Sequence, residues 1–171
     1  MDDPSRAREL FVTGLKNAHA MERQALSIMK PQLDRVENYP DVAAILRQHI
    51  AETEGQQARL EHLLEGIGES PSMLKDAGLS IAGATASLSH AMAGDEVVKN
   101  SFANFAFEHY EIAAYRALIT LATAAGETAA IEPLRDNLAE EEAMARRIED
   151  SLEPVTERFI ALAAGGEPAK R

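Results

Sequence analysis

The sequence predicts an all-α protein whose main helices pack as a four-helix bundle. Hydrophobic residues recur at helical spacing along most of the chain, and proline and glycine fall mainly between the periodic stretches. No stretch alternates hydrophobic and polar residues as a β-strand does, and no unit of about 20–50 residues repeats. We therefore expect residues 1–171 to form one domain with a single core, in which the bundle spans about residues 5–152.

The first two predicted helices span residues 5–36 and 41–67. Pro31 is expected to bend the first helix, because proline removes one backbone hydrogen bond from a helix interior. Asp41 follows the turn around Pro40 and is expected to cap the second helix. Gly68 suits the position just after its end, where a left-handed backbone conformation is common.

The third and fourth predicted helices span residues 95–125 and 128–152. Asp95 is expected to cap the third helix and Gly126 to end it. Pro154 suits the first turn of a separate, short final helix over residues 154–164. This final helix carries Phe159, Ile160 and Leu162, and such apolar surface favours a homodimer.

Residues 68–94 form a long connection between the second and third helices, and a weaker helix is predicted within it over residues 74–92. At about 1.5 Å per residue, a partly helical segment of this length can travel the full length of a bundle. One long crossover between two helical hairpins is typical of ferritin-like folds, whereas a simple up-and-down bundle needs only short loops.

The composition limits the classes of function and the compartment. Acidic residues outnumber basic ones by 28 to 17, for a formal net charge of −11, which argues against nucleic-acid binding. The chain has no cysteine, so a transition metal must be held by carboxylate, imidazole or amide groups. No apolar run reaches the roughly 18 residues of a membrane span and no signal segment is evident, so a cytoplasmic protein without membrane contact is expected.

Three predicted helices carry a glutamate in the middle of the hydrophobic stripe. Residues seven apart lie almost on one line of a helix, because two turns take about 7.2 residues. Each of these helices has a triplet with this spacing and a glutamate at its centre. The triplets are Leu15, Glu22 and Met29 in the first helix, Asn104, Glu111 and Leu118 in the third, and Leu134, Glu141 and Ile148 in the fourth. Glu108 lies one turn before Glu111 on the same face. An isolated buried carboxylate is costly, so these residues are expected to be paired or bound to metal.

The second helix leaves two glutamates open as its inward acidic residue. Its hydrophobic stripe is centred on Thr53, and Glu52 and Glu54 flank that centre by about 100° on either side. Glu52 shares its flank with His49 and Gln56, which are also able to bind a metal, whereas Glu54 has a more solvated flank. This pattern favours Glu52.

The glutamates are expected near one level of the bundle, because each lies near the midpoint of its predicted helix. A single glutamate in a hydrophobic stripe is more often half-exposed or paired with arginine, but four at matching heights repel one another unless cations neutralise them. Carboxylate-rich ligation without sulfur suits a di-iron site, with manganese as the alternative. The Glu-x-x-His pair that is usual on two helices of such sites is missing, since Met144 stands three residues after Glu141 and His49 precedes Glu52.

The residues around these glutamates resemble the YciF-type stress-protein family over about residues 8–152. The resemblance rests on four strings: Glu22-Arg23-Gln24, His49 through Thr53 with Gln56 and Arg59, Glu108-His109-Tyr110-Glu111-Ile112-Ala113-x-Tyr115, and Leu138 through Glu141. It implies a ferritin-like fold, a homodimer of bundles, induction in stress and a di-iron site without an established reaction. The family's acidic positions match Glu22, Glu52, Glu108, Glu111 and Glu141, which adds weight to Glu52 over Glu54.

The spacing of Glu108 and Glu111 is also similar to that in rubrerythrins, which reduce peroxide at a di-iron site. Because this chain lacks the cysteine-rich iron module of rubrerythrins, electrons would have to come from an external donor. Tyr115, one turn beyond Glu111, is either a core residue, which is the commoner case, or a hydrogen-bond or radical partner of the site.

The leading hypothesis is a metal-binding stress-response protein with an oxidase or peroxidase activity left open. In this hypothesis Glu22 and either Glu108 or Glu111 are terminal ligands, Glu52 and Glu141 bridge the two metal ions, and His49 is a further ligand. The alternative is a non-catalytic bundle with a structural or protein-interaction role in stress.

Overall fold

The computed structural model describes residues 4–69 and 93–170. Four α-helices account for most of these residues: α1 (Pro4–Arg35), α2 (Pro40–Gly66), α3 (Glu96–Ala125) and α4 (Ile131–Ala164). A short 3₁₀ turn, Thr128–Ala130, precedes α4. The described residues contain no β-strand, and none of their helices is long and apolar enough to cross a membrane. The predicted all-α class is confirmed.

The helices form a ring in which each helix contacts two neighbours. α1 packs against α2 and α3, and α4 packs against the same two helices. The hydrogen bonds of Gln32 with Asn104 and of Glu22 with Tyr115 show that α1 and α3 are antiparallel. Short turns make α1 antiparallel to α2 as well, so α2 and α3 run in the same direction. The end of α2 and the start of α3 therefore lie at opposite ends of the bundle, as a crossover topology requires.

Hydrophobic layers on either side of the middle of the bundle hold the helices in register. One end is filled by a buried cluster that includes Phe11, Leu15, Leu60, Leu118 and Leu134. The opposite end is filled by Tyr39, Val97, Val155 and Leu162. Full burial of a leucine or phenylalanine side chain contributes about 1.5–3 kcal/mol. These two layers keep the glutamate-bearing turns facing one another between them.

The helix ends differ in part from the predicted caps. α2 begins at Pro40 with Tyr39 in the capping position, so Asp41 lies within the first turn and does not cap the helix. Asp95 precedes α3 as predicted, but its carboxylate contacts Lys99 at 2.8 Å and forms no capping hydrogen bond. The predicted glycine ends are confirmed, because Gly68 and Gly126 have positive φ angles of 83° and 72°.

α4 does not end at residue 152 but continues through Pro154 to its last turn. The short final helix predicted over residues 154–164 is therefore the last part of α4. A proline inside a helix costs about 3 kcal/mol or more, but beyond it Val155 and Leu162 are both buried against Tyr39. Burial of two such side chains contributes an amount of similar size, which explains why the helix continues.

Two further sequence predictions concern helix continuity. α1 continues through Pro31, which lies on the exposed face of the helix. The weak helix predicted over residues 74–92 lies outside the described residues.

The exposed apolar surface differs from the one predicted for a dimer. Leu162 is buried inside the chain, Phe159 is half-buried, and only Ile160 of the three is exposed. Other large exposed hydrophobic side chains lie on α1 and α3: Leu10, Phe102 and Tyr110.

Candidate metal centre

Five ionisable side chains from all four helices meet at the middle of the bundle. Glu22 comes from α1, His49 from α2, Glu108 and Glu111 from α3, and Glu141 from α4. Each is at most 3% exposed. The inward orientation predicted for Glu22, Glu111 and Glu141 from their seven-residue spacing is confirmed.

Four of these residues are close enough to share an ion. His49, Glu108, Glu111 and Glu141 each offer a ligand atom, and these atoms lie within 4.8 Å of one another. The Nε2 atom of His49 is 3.2 Å from Glu108 Oε1 and 3.8 Å from Glu141 Oε2. Imidazole nitrogen and carboxylate oxygen are the donor types that transition metals such as iron and manganese accept in proteins.

Many buried polar atoms at this level lack a hydrogen-bond partner. Among the described residues they comprise Glu22 Oε2, both ring nitrogens of His49, Thr53 Oγ1, Gln56 Oε1, Glu108 Oε2, both carboxylate oxygens of Glu111, and Glu141 Oε2. Buried polar groups in proteins are nearly always satisfied, so a group of this kind needs a water, an ion or another bound species. The donor atoms present therefore fit a bound metal.

Burial and mutual repulsion raise the pKa values of Glu111 and Glu141. The pKa of Glu111 is raised well above 4.5, first by desolvation and then by the charges of Glu22, Glu141 and Glu108. Desolvation and the contact with Glu108 raise the pKa of Glu141 to about 9. These carboxyl groups are therefore held close together at a cost that a bound cation would remove.

His49 provides positive charge at the centre. Desolvation lowers its pKa, but contacts with Glu108 and Glu52 and the charge of Glu141 outweigh that effect and raise the pKa to about 10. The ring nevertheless forms no well-aligned hydrogen bond through either nitrogen. Without metal, His49 is thus a cation that partly balances the carboxylates around it.

Glu22 and Glu141 each have one carboxylate oxygen held by a neighbouring side chain. The hydroxyl of Tyr115 donates a hydrogen bond to Glu22 Oε1, and the amide of Gln56 donates one to Glu141 Oε1. The second oxygen of each glutamate has no hydrogen-bond partner. Desolvation raises the pKa of Glu22 to about 7, although the hydrogen bond from Tyr115 and the charge of His49 oppose that shift. The arrangement leaves one oxygen of each carboxylate free to bind a metal.

The two candidates on α2 have different surroundings. Glu52 accepts hydrogen bonds from Gln48 at 2.9 Å and from Arg147 at 3.2 Å, and its Oε2 lies 3.6 Å from Nδ1 of His49. Glu54 is exposed and pairs with Lys30 at 2.8 Å. Glu52 is therefore the α2 glutamate beside the centre, but it lies on the outer side of the imidazole and does not join the four-residue group.

Asn137 is a neighbour of the centre that the sequence interpretation missed, and Arg59 was noted only as part of the family resemblance, without a role. The side chain of Asn137 is fully buried and donates a hydrogen bond to the Tyr115 hydroxyl at 2.9 Å. Arg59 donates in turn to the Asn137 carbonyl oxygen. A signal was present, because Asn137 stands one turn before Glu141 on the same hydrophobic stripe.

A family model described as "Domain of unknown function (DUF892)" matches residues 6–161. The chain belongs to the DUF892 family. The chain is also similar to solved structures. A protein of Xanthomonas campestris pv. campestris str. ATCC 33913 is 32% identical, with a TM-score of 0.77, and the match covers 92% of this chain and 99% of that one.

Two more distant structures share the fold of this DUF892 member. YcfI of Rhodopseudomonas palustris, for which a structural role has been suggested, is 24% identical with a TM-score of 0.71, over 84% of this chain and 92% of that one. The E. coli stress protein YciF is 20% identical with a TM-score of 0.72, over 89% of this chain and 96% of that one. The resemblance to YciF-type proteins is thereby confirmed, and at these identities the two structures support the fold alone.

Proposed function

We propose that this DUF892 protein binds two divalent transition-metal ions at the middle of the bundle, iron first and manganese as the alternative. The observation that carries the proposal is the group of buried carboxylate and imidazole atoms without hydrogen-bond partners. Four ionised glutamates would carry four negative charges, which two divalent cations would neutralise. A metal pair would therefore remove the repulsion that, together with burial, raises the pKa values of Glu22, Glu111 and Glu141.

The free atoms suggest a role for each ligand. His49, Glu108, Glu111 and Glu141 would hold one ion, and Glu22 would reach the second through Oε2, with Glu108, Glu111 or Glu141 shared between the two. Glu52 would act from behind His49, where a carboxylate beside Nδ1 orients the ring so that Nε2 faces the other ligands. This differs from the bridging role that the sequence suggested for Glu52.

Iron held in this way would supply redox chemistry toward peroxide or dioxygen. The chain's own residues would exclude water from the centre and would hold the Glu22 and Glu141 carboxylates in place through the hydrogen bonds from Tyr115 and Gln56. Electrons would come from a donor outside the chain, since the chain has no cysteine and therefore no cysteine-rich iron module of its own. We place this activity in the cytoplasm as part of a stress response, in line with the name of the E. coli relative.

A non-catalytic structural bundle is the second candidate function. It is favoured by the position of the His49 cation between Glu108 and Glu141, which offsets part of the carboxylate charge without a metal. The structural role suggested for the R. palustris relative agrees with this alternative. Measured metal content separates the two functions.

A homodimer is part of the proposal for either function. A groove of about 190 Å³ lies between α1 and α3, and its lining includes the small residues Gly14, Ala18, Ala114 and Ala117 together with the half-exposed Tyr110. Small residues let a helix of a second copy approach closely, and burial of Tyr110 would contribute to association.

The test of metal binding is the metal content of the purified protein. Protein prepared without chelator, loaded anaerobically with Fe²⁺ and desalted, should retain one or two ions per chain. The Glu22→Ala and Glu141→Ala variants should lose them, whereas Glu54→Ala, which removes a surface carboxylate from the same helical level, should not. Full retention in both central variants would refute the ligand assignment, and a wild-type protein without metal would favour the structural role.

A further inference from the structure

A chain of hydrogen bonds leads from Glu22 to the surface of the bundle between α2 and α4. The Tyr115 hydroxyl donates to Glu22 Oε1, and the Asn137 amide nitrogen donates to the Tyr115 oxygen at 2.9 Å. Arg59 then donates through Nε to Asn137 Oδ1 and through Nη2 to Glu140. Four residues thus link a buried carboxylate of the centre to solvent.

The inner part of this chain is buried and its outer end is partly exposed. Glu22, Tyr115 and Asn137 are fully buried, whereas the side chains of Arg59 and Glu140 are 31% and 30% exposed. The outer pair can therefore be altered without opening the core, while the inner three residues lie in the protein interior, where hydrogen bonds are electrostatically stronger than in water.

The direction of every bond in the chain is fixed by its outer end. An arginine has only donors, so Asn137 must present its carbonyl oxygen to Arg59 and its amide nitrogen to Tyr115. Tyr115 then accepts from Asn137, and its single proton points to Glu22. Glu22 Oε1 therefore accepts the hydrogen bond from Tyr115, and Oε2 is the Glu22 atom that is left to bind a metal.

We infer that Arg59 and Asn137 are positioning residues that act through Tyr115 to hold Glu22 as a ligand through Oε2 alone, with Glu140 anchoring Arg59. This inference rests on the proposed metal site and names residues that set its affinity from outside the centre. Partners of metal ligands of this kind typically change metal affinity about 10–100-fold when they are removed.

Asn137→Asp is the most discriminating variant, because it keeps the size and shape of the side chain and its contact with Arg59. Aspartate has no amide proton, so it would accept from Tyr115 and turn the tyrosine proton away from Glu22. The added negative charge alone would strengthen the binding of a cation, whereas loss of the directed chain would weaken it. The two effects have opposite signs.

The experiment measures Mn²⁺ dissociation constants by titration calorimetry, with the absorption spectrum of bound Co²⁺ as a second readout. Asn137→Asp and Arg59→Met should each weaken Mn²⁺ binding about 10–100-fold and alter the Co²⁺ spectrum. The double variant should bind Mn²⁺ with about the same affinity as whichever single variant binds it less tightly, because both changes break the same hydrogen-bond chain. Arg116→Met, which removes an exposed arginine–glutamate pair between α3 and α4, is the matched control and should leave affinity unchanged.

The outcomes separate this inference from the proposed function. If wild-type protein binds Mn²⁺ and the Asn137→Asp and Arg59→Met variants bind it equally well, the inference is overturned while the metal site stands. Additive losses in the double variant would also overturn it, because independent residues do not form one chain. If the wild-type protein binds neither Mn²⁺ nor Co²⁺, the metal site and the inference fall together.

Discussion

Replacement of Glu141 by glutamine should stabilise the metal-free protein while it weakens metal binding. Burial and the neighbouring carboxylates raise the pKa of Glu141 from 4.5 to about 9. At pH 7 the folded protein therefore holds a proton on this group that the unfolded chain releases. Folding must take up that proton, and glutamine, which has a similar shape and no charge, avoids this cost.

The size of the effect follows from the pKa values. Each pH unit between the unfolded-state pKa of 4.5 and the working pH costs about 1.4 kcal/mol, so proton uptake at pH 7 costs about 3 kcal/mol at most. A new amide without an acceptor would cost about 1–3 kcal/mol, but free oxygens of Glu108 and Glu111 are nearby acceptors. We expect a net gain of about 1–2 kcal/mol, which raises Tm by about 2–8 °C for a protein of this size.

The assay is thermal unfolding in EDTA at several pH values. The gain in Glu141→Gln should be near zero at about pH 4.5 and should increase as the pH rises to 8, because only the wild-type carboxyl group takes up a proton on folding. Glu142→Gln, which changes a half-buried glutamate paired with Arg116 on the adjacent position, is the control and should stay within about 0.5 kcal/mol. A loss of stability at pH 8, or a gain independent of pH, would refute the reasoning.

Three further predictions concern pH, the α2 glutamates and assembly. The metal-free protein should lose stability as the pH rises from about 5 to 9, because the folded pKa of each central group exceeds its unfolded value. The pKa rises from 4.5 to about 7 for Glu22, from 4.5 to about 9 for Glu141 and from 6.5 to about 10 for His49. Metal binding displaces these protons, so the metal-induced rise in Tm should be larger at pH 8 than at pH 6. Glu52→Gln should weaken Mn²⁺ binding about tenfold or more and Glu54→Gln should not. Light scattering at micromolar concentration should give a dimer mass, and Tyr110→Glu should give a monomer.

Each of these predictions has a clear contrary result. Stability that rises between pH 6 and 9 in EDTA would show that the central groups fold in their unprotonated forms. Equal effects of the Glu52 and Glu54 variants would remove Glu52 from the site. A monomer mass for the wild-type protein would exclude the dimer, and a dimer mass for Tyr110→Glu would place the interface elsewhere.

The central glutamates could be predicted because the seven-residue spacing is a strictly local signal. Glu22 and Glu141 each have a buried hydrophobic residue two turns before and two turns after them, and Glu111 lies two turns before the buried Leu118. The side of the helix that buries these residues therefore also buries the glutamate. The fold followed from the same periodicity and from the glycines that end α2 and α3. These features depend on the helix geometry of a single segment.

The α2 side of the centre was harder to predict, because polar residues lie on both flanks of the hydrophobic stripe of α2 and periodicity does not choose between the flanks. His49 is a buried member of the central group, while Glu52 is set outward by Gln48 and Arg147. Arg147 lies on α4, nearly a hundred positions along the chain, and periodicity within α2 contains no information about it. The rotation of a helix by a few tens of degrees is decided by such contacts between helices.

Of the hydrogen-bond chain behind Glu22, only Tyr115 was predicted as a possible partner of the site, and its hydrogen bond to Glu22 confirms that prediction. The links from Tyr115 outward depend on contacts between helices. The chain members Tyr115, Asn137 and Arg59 come from three helices, and each alone is an ordinary core or surface residue. The continuation of α4 through Pro154 also depended on tertiary contacts, since the residues that offset the cost of this proline are buried against the α1–α2 turn and the start of α3. Local preference was overridden there by packing.

Anomalous diffraction at the metal absorption edge, from crystals of Fe²⁺- or Mn²⁺-loaded protein, tests the central claim most directly. We predict one peak among His49, Glu108, Glu111 and Glu141 and a second beside Oε2 of Glu22, both absent from crystals of Glu141→Ala prepared in the same way. Peaks confined to surface carboxylates, or none in the middle of the bundle of fully loaded protein, would contradict the claim and favour a structural role.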